Sequence, residues 1–377
     1  MHKIESRIKP VDDWRESFKA GPVQYWGFFS SDELEANPGK LLMMDIDFGR
    51  ACSLKCPTCF RRKNTVDDCG LHDLAYDEIL SVIEDAKKLG LRTVKYCGAG
   101  EPTENRKLLR FLADLDALGV GSAIFTKGHI LGDDEKARVV FSDDGVECAK
   151  DLCERLYRFK TSILLSFQSF YGRVQDRLVG VKGHTQRRDQ ALLNLVSAGF
   201  NSTSPTRLAL VCAPITGQVK EEVVDIYKFA VKRNMYPVFA YFMISGKQIN
   251  EQFLRQNDLT NEEKIRLHTE IYRWNLKENL QSLEQIEREG ISCMPGIHPC
   301  NQVAAGLYLT LKGNVTSCPG DTRVVGNVRK EPLAEIWKRM ENRRRGLKKM
   351  FNCRCPPKDG RTIPHNLYRK VLQNLRM

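Results

Sequence analysis

The run Cys52-Ser53-Leu54-Lys55-Cys56-Pro57-Thr58-Cys59-Phe60 decides how this chain is read. It follows an apolar, strand-like stretch, Leu41–Phe48, and spaces three cysteines as Cys-x3-Cys-x2-Cys. Thiolates are the ligands that iron–sulfur clusters require, and a four-iron cluster ordinarily takes four of them. Three ligands leave one iron with an open position, which is what a site needs if it is to bind and activate a small molecule. A zinc knuckle is the alternative. It needs a fourth ligand, for which Cys69 and His72 are the nearest candidates.

Downstream, a second strand-like stretch, Arg92–Cys97, runs into Gly98-Ala99-Gly100-Glu101-Pro102. Alone, this would be a tight turn ended by proline. After a strand, and beside the cysteine motif, its glycines let backbone approach a ligand closely, and Glu101 offers a carboxylate to an ammonium. Together the two motifs resemble the radical SAM superfamily. The cysteine-rich C-terminal region resembles the SPASM/twitch extensions that carry an auxiliary cluster, and the resemblance spans roughly residues 41–356. It implies a partial (β/α)6 TIM-like barrel and a 4Fe-4S cluster with an open site, ligated by Cys52, Cys56 and Cys59. It also implies that S-adenosyl-L-methionine (SAM) chelates the open iron, its methionyl amine held by Gly98, Ala99, Gly100 and Glu101. One-electron cleavage would then give a radical that abstracts hydrogen from a substrate. One departure is visible: the family's aromatic residue before the third cysteine is here Thr58, and Phe60 follows it instead.

Strand–helix alternation continues through six repeats, with helices expected over 77–89, 103–118, 146–158, 190–198 and 219–233 and a Thr260/Glu263 capping box opening a further long one, so the strands are parallel; the pattern alone fits an open doubly wound sheet or a barrel. Ser166, Gln168 and Ser169 end the fourth strand, where they suit the ribose hydroxyls or the methionyl carboxylate, or form a turn. Thr126-Lys127-Gly128-His129 ends the third and resembles the family's Thr-Asn-Gly turn, with Lys127 and His129 facing substrate or solvent. Cys97 and Cys212 lie near C-terminal strand ends, as hydrogen donors to a substrate radical or as inert buried thiols. Cys148 and Cys153 read as core positions of a helix.

In the C-terminal region Cys300, Gly313 and Cys318 give Cys-x12-Gly-x4-Cys, with a hairpin turned at Lys312-Gly313-Asn314. With Cys353 and Cys355, four cysteines suffice for one auxiliary 4Fe-4S cluster, Cys293 being able to replace one of them. Four thiolates suit zinc equally.

The organisation expected is an N-terminal cover over 1–40, the barrel over 41–250, a helical bridge over 251–290, the auxiliary-cluster domain over 291–360 and a tail over 361–377. Thirteen cysteines point to metal ligation rather than disulfides in a cytosolic protein, and no apolar run is long enough to span a membrane. With 59 basic against 47 acidic residues the net charge is +12. The densest basic block, Lys338 to Lys349, reads as a solvated helix face, and nothing resembles a nucleic-acid-binding module. The expected activity is hydrogen abstraction from an unactivated C–H bond of a polar small molecule of sugar or aminocyclitol type, giving dehydrogenation or epimerisation. A flavodoxin or ferredoxin would supply electrons. Maturation of a ribosomally made peptide is the runner-up. A non-catalytic zinc or iron–sulfur RNA-binding protein is the alternative from another class.

Overall fold

The computed structural model describes residues 3–19, 23–27, 29, 31–60, 72–245, 250–296, 300, 302–341, 355, 358 and 360–377, without the side chains of Ser31 and Cys97. Six strands, β1 (Met43–Asp47), β2 (Thr93–Gly98), β3 (Gly121–Thr126), β4 (Ser162–Ser166), β5 (Leu208–Cys212) and β6 (Tyr236–Phe239), pair in parallel and in chain order. Runs such as Ser-Ile-Leu-Leu-Ser and Leu-Ala-Leu-Val-Cys are buried throughout, as parallel strands covered on both faces require. The strand order decides what the pattern left open. A doubly wound sheet reverses direction midway, whereas unbroken order with right-handed crossovers keeps the helices on one face and curls the sheet into a barrel. Among the described residues β6 ends the sheet without pairing to β1, so the barrel is partial.

The other edge of β1 is taken by β7 (Gly306–Leu309), also parallel, followed by antiparallel β8 (Asn314–Thr316) and β9 (Gly326–Asn327). The cysteine-rich region therefore extends the barrel's own sheet, which has nine strands among the described residues. Alternation along β1 puts Met44 and Ile46 into the apolar core and Asp45 and Asp47 on the inner face. Register places Lys95 and Tyr308 opposite Asp45. Lys95 pairs with Asp45 at 3.1 Å and lies 4.7 Å from the Trp26 ring, while the Tyr308 hydroxyl donates to Asp47 at 2.6 Å. The inner face is polar there.

Outside, helix Tyr76–Lys88 buries Ile79, Val82, Ile83 and Ala86, and helix Leu108–Ala117 buries Leu108, Leu109, Phe111, Leu112 and Leu115. Each large apolar side chain contributes about 1.5–3 kcal/mol. The one helix expected over 103–118 is two elements: a 3-10 turn, Pro102–Glu104, then Leu108–Ala117. Glu101 caps the first by accepting from the Thr103 amide, and extended Asn105 (φ −90°) breaks the run. Cys148 is the N-cap of helix Ala149–Arg158, with Cys153 fully buried inside it. Helices Asp134–Val140 and Gly172–Val179 were not expected. The bridge contains helix Asn261–Lys277, capped reciprocally by Thr260 and Glu263 as the sequence indicates. Its Trp274 stacks on Trp14 of the N-terminal cover at 5.8 Å. The expected tail forms helix Leu367–Arg376, bound to the bridge helix through Asn374 and Thr269 (3.2 Å).

A charged latch ties the auxiliary-cluster region to the chain just after the cysteine loop. Arg329 grips Glu78 with two donors (2.8 and 2.7 Å), and Asp73 receives Arg50 (2.9 Å) and Lys312 (3.0 Å). Arg50 holds the Asp73 carboxyl, and Arg329 the Glu78 carboxyl, at about 2. Both groups are depressed below their unfolded value near 4, so their contribution is complete above that pH and is lost as pH falls toward 2. Solvent exposure keeps it to about 1 kcal/mol. The gap in thermal midpoint between wild type and Arg329→Met should be present at pH 7, narrow below pH 4 and close as pH approaches 2; a constant gap would show that the latch is not electrostatic.

Candidate iron–sulfur active site

The cysteine loop lies at the C-terminal end of β1, where parallel barrels place their chemistry. Its backbone is pinned at several points. Cys59 N–H donates to Cys56 O (3.3 Å), Lys55 N–H to Val179 O (3.0 Å) and Glu101 N–H to Ala51 O (2.7 Å). Gly100, at φ +92°, lies so close that a Cβ there would sit 2.7 Å from Ala51 O and 2.8 Å from Gly49 O. The glycine motif is thus packed directly on the loop.

Glu104 adds a clamp. Both its oxygens accept from Ser53 N–H at 2.9 Å, one also accepts from Ser53 Oγ (2.7 Å), and the same oxygen lies 2.7 Å from His129 Nε2. Burial alone would raise the Glu104 carboxyl, but His129 and Ser53 outweigh it and hold it at about 2. Cys52, exposed as a residue, has its thiol pushed up to about 12, chiefly by desolvation, with Glu101, Glu104 and Cys56 adding repulsion. Such a thiol keeps its proton at neutral pH unless a metal cation replaces it. Three thiols in a pinned loop, with desolvation holding Cys52 in its protonated form until a metal replaces the proton, fit a metal cluster.

Glu101 is 3% exposed. One oxygen accepts from Thr103 Oγ1 (2.7 Å) and Thr126 Oγ1, the other from Lys127 N–H (2.8 Å). The Lys127 ammonium donates to Ser166 Oγ at 2.8 Å. The strand ends thus form one polar line, Glu101–Thr126–Lys127–Ser166, across β2, β3 and β4. Gln168 and Ser169 are committed to packing. The Gln168 side chain donates to Pro214 O (3.2 Å), and Ser169 Oγ donates to Glu222 (2.6 Å). Cys212 ends β5, is fully buried, and points its Sγ at Gln168 O (4.0 Å); burial raises its thiol. His72 is exposed, and Cys69 lies outside the described residues.

The C-terminal thiols form a second group. Cys293 hydrogen-bonds with Cys355, which with burial pushes its thiol far up, and Cys300 adds repulsion. Cys318 feels Cys355 and Cys300 after burial. Four described cysteines are therefore neighbours, and they include Cys293; Cys353 lies outside the described residues. They are not drawn to a common point: among the described residues no three His, Cys, Asp or Glu side chains meet as metal ligands. Cys300 is exposed as a residue, while desolvation of its sulfur raises the thiol. Lys95 and Asp45 act on it electrostatically, and Lys95 also reaches Gln302 Oε1 (2.8 Å), two residues on.

Sequence reasoning missed Glu104, Lys95 and Gln302. Glu104 lies one 3-10 turn beyond Glu101, a weak signal; the others reveal themselves only through pairing. A cleft of about 500 Å³ between Phe18, Leu276, Leu280 and Gln285 includes no motif residue and is not the reacting site.

A thiol loop on a barrel rim, with a second thiol group in the region that extends its sheet, is a donor set that suits iron–sulfur clusters. The family model of the radical SAM superfamily matches residues 46–230, and that of the SPASM iron–sulfur cluster-binding domain matches residues 300–356. The chain belongs to the radical SAM superfamily and carries a SPASM domain. It therefore uses a 4Fe-4S cluster and SAM, with auxiliary iron–sulfur binding in the C-terminal domain.

The chain is 31% identical over 84 residues to the tungsten-containing aldehyde ferredoxin oxidoreductase cofactor-modifying protein of Pyrococcus furiosus; that match spans 22% of this chain and 23% of the relative. Streptococcus suis SuiB bound to precursor peptide SuiA has a similar structure, with a TM-score of 0.55 and 16% identity over 81% of this chain and 67% of SuiB. SuiB bound to S-adenosylmethionine gives 0.51 and 15%, over 81% of this chain and 66% of SuiB. At such identity the likeness is one of fold. Among the described residues no helix is long and apolar enough to cross a membrane.

Proposed function

We propose that the chain abstracts a hydrogen atom from an unactivated C–H bond of a polar small molecule of sugar or aminocyclitol type, with dehydrogenation as the outcome. When bound, the cluster and SAM supply one electron and a 5′-deoxyadenosyl radical, and the auxiliary centre supplies an electron acceptor. Cys52, Cys56 and Cys59 hold the first cluster. Gly98, Ala99, Gly100 and Glu101 hold the methionyl amine, with Thr103 and Thr126 fixing the Glu101 carboxylate. Ser166 lines the far side, whereas Gln168, expected beside it, turns its side chain to Pro214 O. Cys293, Cys300, Cys318 and Cys355 form the auxiliary set.

The observation that carries this reading is the polar inner face joining the two thiol groups. Asp45 and Lys95 act on Cys300, and Glu101 and Glu104 act on Cys52. A substrate between them meets hydrogen-bonding groups rather than an apolar wall. Epimerisation needs a thiol to return hydrogen; of the two candidates Cys212 is closed off by full burial, and the Cys97 side chain lies outside the described residues. Loss of the second hydrogen as a proton and an electron needs only a base and the acceptor. A peptide substrate is the second reading, favoured by the fold likeness to SuiB, whose structure holds a precursor peptide.

Anaerobically reconstituted protein should hold about eight irons and, when reduced, form 5′-deoxyadenosine from SAM. With deuterated polyol or aminocyclitol substrates, deuterium should appear in that product. Cys293→Ser should remove about four irons; loss with Cys353→Ser instead would reassign the auxiliary set. Zinc without iron, or no 5′-deoxyadenosine, overturns the reading. Deuterium transfer from peptides alone moves it to the second.

A further inference from the structure

We propose that the rim formed by the cysteine loop and helix Gly172–Val179 is the docking face for a small acidic one-electron carrier protein. The inference rests on the reading of that loop as a reducible cluster site and adds where its electron enters. Arg173 and Arg177 lie one turn apart on the helix and are exposed, as are Lys182 just beyond it and Lys55 in the loop. None of these four side chains makes a hydrogen bond or ion pair among the described residues. Several other cations of the same barrel are tied down, among them Arg155 to Asp151 at 3.1 Å, Arg187 to Asp133 at 3.7 Å and Arg50 to Asp73 at 2.9 Å.

The helix's own acid does not offset the patch. Asp176 turns inward and accepts from Gly183 N–H (2.6 Å), Thr185 N–H (2.8 Å) and Thr185 Oγ1 (2.6 Å), which caps the next helix. The two parts of the patch are one surface. Lys55 N–H donates to Val179 O at 3.0 Å, and a Cβ on Gly180 would sit 2.6 Å from Lys55 O, so loop and helix end are in backbone contact. Tyr171, 55% exposed at the start of the helix, adds a large aromatic surface of the kind enriched at protein interfaces. Cys52 is exposed on the same loop.

A cluster that is reduced once per turnover must be met repeatedly by a donor. Unpaired like charges around its exposed loop steer an oppositely charged partner there and raise the association rate more than the affinity.

The test is stopped-flow reduction of the cluster-loaded full chain, by reduced flavodoxin and, separately, by photoreduced deazaflavin. Arg173→Glu with Arg177→Glu should slow reduction by flavodoxin about tenfold or more at low ionic strength. The deazaflavin rate should not change, and Lys150→Glu on a remote helix should behave as wild type. The wild-type flavodoxin rate should fall steeply with added salt. If the charge reversals alter the deazaflavin rate, the loop itself is disturbed, and Arg173→Gln with Arg177→Gln and the wild-type salt slope decide. A salt-independent rate, or double variants reduced by flavodoxin as fast as wild type, overturns the docking face and leaves the cluster reading standing. A wild-type protein that neither reductant can reduce overturns the cluster reading instead.

Discussion

Cys56→Ala is expected to abolish SAM cleavage while leaving a folded, iron-bearing protein. The loop holding Cys56 does not depend on that thiol for its course. Leu54 is 3% exposed and anchors it to the core, and Lys55, Ser53 and Ala51 are tied to Val179, Glu104 and Glu101. The residue is half-buried and outside the barrel core, so its truncation should shift stability by no more than about 1 kcal/mol. What changes is the donor set. Two thiols cannot hold a four-iron cluster that already leaves one corner to an exogenous ligand. Iron should fall from about eight to about four per chain, the remainder residing in the C-terminal domain. 5′-Deoxyadenosine formation should fall to background, and the thermal midpoint of metal-free protein should barely move. Retained cleavage in this variant, or loss of all iron, would contradict the division into two independent thiol sites.

The division between what the sequence carried and what it hid follows the range of the interactions. The cysteine spacing and the glycine motif are covalently local: each ligand lies within a few residues of the next, so the pattern survives without coordinates. The same holds for the capping box at Thr260 and Glu263 and for the hairpin around Gly313. Features set by pairing distant elements were not legible. The clamp of Glu104 and His129 on Ser53 joins the ends of three strand–loop units, and no spacing in the chain announces it.

Cys293 meets Cys355 across the auxiliary domain, a neighbourhood that the sequence left as one alternative among the five C-terminal cysteines. Helix Gly172–Val179 shows few apolar residues because its outward face is cationic, so periodicity alone passes over it. The helix expected over 103–118 failed at Asn105, where an extended residue follows a capped 3-10 turn; side-chain capping by Glu101 overrode apolar spacing. Barrel and open sheet share the same alternation of elements, and only the strand order separates them.

Gly100→Ala should cost more function than its single added methyl suggests, because that position is where the two motifs touch. The new Cβ would lie 2.7 Å from Ala51 O, 2.8 Å from Gly49 O and 3.1 Å from Arg50 C. All three are backbone atoms, so no rotamer change relieves the overlap. Gly100 also holds φ +92°, which disfavours any L side chain by about 1–2 kcal/mol before contacts are counted. Gly39 provides the internal comparison. It too is left-handed, at φ +75°, but nothing lies within 4 Å of its Cβ position. Gly39→Ala therefore reports the backbone cost alone, and the excess in Gly100→Ala reports the collision.

Relief requires the cysteine loop and glycine motif to separate, which lengthens the 2.7 Å bond from Glu101 N–H to Ala51 O and moves the Glu101 carboxylate relative to Cys52. The barrel core does not share this contact, so the protein should fold and keep its C-terminal iron. SAM affinity, read by equilibrium binding on anaerobically loaded protein, should fall by about a hundredfold, equivalent to about 2.7 kcal/mol. The first cluster should be lost on desalting while Gly39→Ala retains it. Wild-type affinity and full iron in Gly100→Ala would mean that the loop can yield without consequence, and that the close approach of the two motifs does not set the geometry in which SAM is held.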